Sequence, residues 1–141
     1  MEIRQLSQKY SVSPQIDPTD VAAIKAAGFK TIICNRPDVE IPPTHHADVI
    51  GALAEAEGLN FVVIPVTHQG LNAEIVEAQR HVIEESDGPV FAYCASGTRC
   101  SIVWALGQGT TMHADDILSA TSAAGYDLGG LRPQLEALHK N

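Results

Sequence analysis

The chain reads as an α/β domain built on a mainly parallel sheet flanked by helices. Three observations predict it. Short apolar runs recur at 30–34, 60–66 and 90–93, as in strands buried on both faces. Amphipathic helical stretches alternate with them, broken at Gly28, Gly58 and Asp87-Gly88-Pro89. The 141 residues show no composition break, linker or repeat, which fits a single domain over 1–141.

Each element has its own signal. Residues 8–13 read as an opening strand. Asp17-Pro18 sets an N-cap residue before proline at the first helical position, starting a helix that runs to about Ala27. Residues 30–34 form a buried strand, and 35–46 a proline-rich loop. A helix runs from Ala47 to Glu57. The next strand covers 60–66, with Pro65 marking its end. After the loop Thr67–Leu71, Asn72 caps a helix with Ile75, Val76, Gln79, Val82 and Ile83 at helical spacing. A strand at 90–93 leads into a turn, Cys94–Arg99. A helix then starts near Cys100 and buries Trp104. Two further helices are expected at about 113–124 and 131–139. In such a sheet the loops after the three strands share one carboxyl edge, where open α/β proteins bind ligands. Asn35–Asp38, Thr67–Gly70 and Cys94–Arg99 should therefore converge.

Composition excludes several function classes. Nine Lys and Arg against 17 Asp and Glu give a net charge of −8. That argues against a nucleic-acid or anionic-membrane partner, which needs a basic face. No apolar run approaches the ~20 residues of a membrane span, and the opening residues lack a signal-peptide apolar stretch. Three cysteines are too few and too odd in number for a disulfide framework, so a cytoplasmic setting is expected.

The chemistry is concentrated in Cys94-Ala95-Ser96-Gly97-Thr98-Arg99. A cysteine ends a buried strand, small residues follow, then an arginine and a helix. Small residues and Gly97 let the backbone curl so that N–H groups of 95–99 point inward as an anion nest. The helix behind adds its positive end, and Arg99 a fixed cation. Together these lower the Cys94 pKa and hold a small oxyanion against its sulfur.

The CxxGxR loop after a strand resembles that of rhodanese-type sulfurtransferases and, less closely, the HCxxGxxR loop of cysteine-dependent phosphatases. Over about residues 8–108 the chain is similar to a bacterial family with a dual-specificity-phosphatase-like fold. Members are often described as sulfur transferases and occur alone or as the N-terminal domain of beta-lactamase-hydrolase-like proteins. The matching residues are Asn35-Arg36-Pro37-Asp38, Ile64-Pro65-Val66 with Gly70-Leu71, and Ala92-Tyr93-Cys94 through Arg99 to Trp104-Ala105-Leu106. The resemblance implies a three-layer fold with Cys94 as nucleophile and Arg99 as anion-binding cation.

Two departures from phosphatases set the expected reaction. The arginine lies five positions after the cysteine, one fewer than in phosphatases, which suits a persulfide or thiosulfate sulfur. Thr67-His68-Gln69-Gly70 carries no carboxylate where the phosphatase general acid would lie. The expected function is therefore sulfane-sulfur transfer through a Cys94 persulfide, from a small anionic sulfur donor to a thiol or cyanide acceptor. A protein partner in sulfide metabolism would fit that setting. The alternatives are a tyrosine or dual-specificity-type phosphatase and a non-catalytic persulfide carrier or sensor.

Around the loop, Arg36 and His68 are expected to help bind the anion, with Arg36 free at the mouth or paired with Asp38. His68 or Asp38 could serve as an acid if suitably placed. Cys100 reads either as a small residue in the first turn of its helix or as a thiol that resolves oxidised Cys94. Ser101 sits where phosphatases often carry a helpful hydroxyl. Cys34 reads as core, with a redox partner as the alternative. The histidines lack ligand spacing with cysteine, and no nucleotide-binding loop is present, so no metal or cofactor is expected.

Overall fold

The computed structural model describes residues 1–67 and 69–140. Five strands form one sheet: β1 (Arg4–Ser7), β2 (Tyr10–Ser13), β3 (Thr31–Cys34), β4 (Asn60–Val63) and β5 (Val90–Tyr93). Their order is β1-β2-β5-β3-β4, with β1 antiparallel to β2 and all other pairs parallel. The mainly parallel α/β class expected from the sequence is the observed one. The opening strand is instead a hairpin, because polar Arg4–Ser7 adds an edge strand before Tyr10–Ser13. The strand expected over 60–66 is also shorter. Its pairing stops at Val63, ahead of Pro65, which has no N–H to give a ladder.

Among the described residues six α-helices cover the sheet: α1 (Val21–Ala26), α2 (Ala47–Ala56), α3 (Ala73–Glu85), α4 (Thr98–Gln108), α5 (Ala114–Ala123) and α6 (Arg132–Lys140). Alternation along each central strand feeds two cores. On one face Ile32, Phe91 and Tyr93 pack with Ile24 of α1 and Ile50 of α2. On the other, Ile33, Ala92 and Val12 pack with Trp104 of α4, Ile117 of α5 and Leu135 of α6. Trp104 stacks on Tyr10, the ring centroids 6.4 Å apart. No described helix is long and apolar enough to cross a membrane.

Register positions the site. Ser13, Tyr93, Cys34 and Val63 lie in one row across the sheet. The chain leaves all four strands at the same level, so Gln15, Cys94, Asn35 and Val66 begin one cluster at the carboxyl edge. A buried polar network braces it. Gln79 of α3 donates to Tyr10 Oη at 2.9 Å and to Asn35 Oδ1 at 2.8 Å. Tyr10 Oη donates to the Cys100 carbonyl at 2.9 Å, and Asn35 Nδ2 donates to the Ile64 carbonyl at 2.8 Å. Every member is bonded, so the network stiffens the edge instead of leaving buried polar groups unpaired.

Candidate active site

Cys94 follows β5 and is fully buried at the base of the turn. Its sulfur accepts the backbone N–H of Gly97 at 3.1 Å. Gly97 has φ of 93°, a left-handed conformation that glycine adopts readily and other residues rarely do. It also caps α4, so the first turn of that helix starts directly behind the sulfur.

Three consecutive carbonyls of the turn are held from outside. The Gln15 N–H bonds the Ala95 carbonyl at 3.2 Å. Tyr126 Oη bonds that of Ser96 at 2.9 Å. The Ser101 N–H and hydroxyl bond that of Gly97 at 3.0 and 2.8 Å. In a trans peptide the N–H lies opposite the carbonyl, so an outward carbonyl leaves its N–H on the inner side. The Ser96 side chain bonds the Thr98 hydroxyl at 2.9 Å and accepts the Thr98 N–H at 3.3 Å, closing the rim.

The electrostatics follow. Cys94 is lowered to about 5, mainly because the Cys100 thiol donates to it. The backbone N–H groups of Cys100, Gly97 and Arg99 add to this, against the opposing effect of burial. Burial and the neighbouring Cys94 push Cys100 well up, so it stays a neutral donor. Cys100 is fully buried beside the reactive sulfur, at the start of the same helix. Ser101 spends its hydroxyl on the Gly97 carbonyl, not on Cys94.

Arg99 is held by two loops. Its Nη1 donates to Glu40 Oε2 and to the Val66 carbonyl, both at 2.8 Å, and its Nη2 donates to Glu40 Oε1 at 2.7 Å. Glu40 thus grips the end of the guanidinium fork. Among the described residues nothing takes Nε–H or the second Nη2 hydrogen, the parallel edge that can clasp an oxyanion. Hydrogen bonds from Arg99, joined by those from Arg36, hold Glu40 below its ordinary pKa. Glu40 was not singled out in the sequence, where it is one of several charges in a proline-rich loop.

The other expected site residues are distributed as follows. Arg36 Nε lies 3.3 Å from Glu40 Oε1, and its Nη1 lies 3.2 Å from Gln15 Oε1. It is therefore neither free at the mouth nor paired with Asp38, because Glu40 two residues on reaches it better. Asp38 Oδ1 accepts the Ala47 N–H at 2.9 Å, at the start of α2. His68 lies outside the described residues. Cys34 is fully buried core.

Glu40→Gln keeps the shape but takes the charge from the grip on Arg99. The expected result is a fall in kcat of about tenfold. An unchanged kcat would mean that the Val66 carbonyl and the turn aim Arg99 without Glu40.

The family profile "Beta-lactamase hydrolase-like protein, phosphatase-like domain" matches residues 2–111. A beta-lactamase hydrolase-like protein of Agrobacterium fabrum is 29% identical over 130 residues, covering 91% of this chain and 30% of its own length. The chain thus spans about a third of the curated relatives it matches. A crystal structure of a candidate phosphatase from Neisseria meningitidis is 36% identical with a TM-score of 0.85, covering 98% of this chain and 99% of that one. A second candidate phosphatase, from Shewanella putrefaciens, has a TM-score of 0.72 at 23% identity, covering 98% and 86%.

These likenesses overturn the expected sulfur transfer and, with it, the persulfide intermediate. The carboxylate that reaches the site comes from the loop after β3, where Glu40 lies, and it holds Arg99 instead of acting as an acid. The reach of Arg99 is set by Glu40 and Val66, so its count from Cys94 does not decide the chemistry. The chain belongs to the phosphatase-like domain family of beta-lactamase hydrolase-like proteins.

Proposed function

We propose that this domain is a cysteine-dependent phosphatase acting on phosphate monoesters with good leaving groups, aryl phosphates and phosphotyrosine among them. One observation carries the reading: Cys94, with its lowered pKa and the Gly97 N–H on its sulfur, shares one turn with Arg99, whose guanidinium keeps an open edge. The Cys94 sulfur attacks phosphorus, the S–P bond forms and the ester P–O bond breaks. The leaving oxygen takes a proton from water. A second water then cleaves the S–P bond, returning the thiolate and inorganic phosphate. The N–H groups and Arg99 neutralise the equatorial oxygens throughout.

The preference for good leaving groups follows from the acids at hand. Glu40 is ion-paired and deprotonated, and Asp38 is used at the start of α2. Neither is set to protonate a poor leaving group such as an alkoxide. A reducing compartment such as the cytoplasm fits three free cysteines, one of which acts only when reduced.

Turnover of an aryl phosphate, with inorganic phosphate measured, tests the proposal. Phosphate release that orthovanadate blocks is the expected result. No release from any aryl phosphate would overturn it.

A further inference from the structure

We infer that Tyr126 is a positioning residue that fixes which way the Ser96–Gly97 peptide faces, and so keeps its N–H on the reactive sulfur. Both ends of this one peptide group are used. Tyr126 Oη donates to its carbonyl at 2.9 Å, and its N–H donates to Cys94 Sγ at 3.1 Å. The peptide is planar and trans, so the two bonds lie on opposite sides, and securing one end orients the other.

This peptide needs an external hold more than its neighbours do. Turning it by half a revolution would move Gly97 from φ of 93° to the ordinary negative side, which glycine adopts equally well. The Ser96 carbonyl oxygen would then face the sulfur, where it would repel both a thiolate and a bound phosphate. The Ala95 carbonyl is tied by backbone and the Gly97 carbonyl by α4. Among the described residues, the Ser96 carbonyl is tied by Tyr126 alone.

Tyr126 is itself well seated. It is 6% exposed, and its N–H bonds the Thr121 carbonyl at 2.8 Å at the end of α5. The Arg4 guanidinium lies 5.2 Å above its ring. A Cβ added at Gly97 would collide with its hydroxyl, so the turn and the ring pack without spare room. Tyr126 lies beyond residues 2–111, the span that matches the family profile. The connection after α5 therefore contributes to the site.

The groups that act on Cys94 come from every side: Cys100 and Arg99 of α4, Tyr10 of β2, Cys34 of β3 and Tyr126. Tyr126→Phe changes only one hydroxyl among them and keeps the ring under Arg4. The test is the pH dependence of Cys94 alkylation by iodoacetamide, read on the Cys94 peptide by mass spectrometry. The inflection is expected to rise by about one pH unit in Tyr126→Phe, the worth of one hydrogen bond to a charged group. Cooperative thermal unfolding checks that the variant is folded. Tyr126→Leu, which is smaller and carries no donor, is a second variant with the same expected rise. An inflection unchanged in a folded variant overturns the inference.

The effect on turnover rests on the proposed function. There kcat on an aryl phosphate should fall about tenfold, with KM moving less. A raised inflection in a protein that hydrolyses no phosphate ester would support the role of Tyr126 and remove the phosphatase reading instead.

Discussion

Cys94→Ser is expected to abolish aryl phosphate hydrolysis, a loss on the order of 10⁴-fold or more, with the fold intact. Serine is nearly the same size, and its hydroxyl can still accept the Gly97 N–H. What it lacks is ionisation. The site lowers Cys94 to about 5 through the Cys100 thiol and the surrounding N–H groups, so the sulfur is a thiolate at neutral pH. No comparable shift makes a serine alkoxide available. Wild-type Cys94 should accordingly alkylate with an inflection near pH 5. The sign is fixed: reactivity is full above that pH and is lost as the pH falls and the thiolate is protonated. An inflection near 8.5, the ordinary thiol value, would contradict the reading of the turn as a thiolate cradle.

Arg99→Lys is expected to lower kcat/KM by about 100-fold or more, although the charge is retained. Three tasks fall on one guanidinium: the two oxygens of Glu40, the Val66 carbonyl and, on its open edge, the substrate oxygens. Lysine has a single nitrogen with tetrahedral donors and cannot meet all three. If charge alone mattered, the substitution would cost less than about threefold, and the bidentate geometry would be incidental. Steady-state kinetics on one aryl phosphate separates the two outcomes.

Much of the fold was legible because the signals are local. Continuous apolar runs marked β3 and β5, and Asn72 accepts the Ile75 N–H as a cap should. The nucleophile turn was legible for the same reason. Its cysteine, glycine and arginine are adjacent in sequence, and the N–H groups they aim belong to the same few residues. The edge strand β1 was missed because its polar, half-exposed residues lack an apolar run.

The site's supports were missed because they are tertiary. Glu40 reaches Arg99 across 59 positions, and Tyr126 reaches Ser96 across 30. Gln79 looked like one more member of the inward stripe of α3. It is inward, but it bonds Asn35 and Tyr10 there. The chemistry was misjudged for a related reason. Spacing from Cys94 to Arg99 takes the reach of the cation from the turn alone, whereas two other loops help to place it.

The most direct test of the central claim is to stop the reaction during turnover. Wild-type protein mixed with an aryl phosphate is denatured within a turnover, digested and examined by mass spectrometry. A single phosphoryl group on the peptide containing Cys94, absent from Cys94→Ser and lost as inorganic phosphate appears, is the predicted result. Phosphate release with Cys94 unmodified throughout, or with the phosphoryl group on another residue, would contradict it.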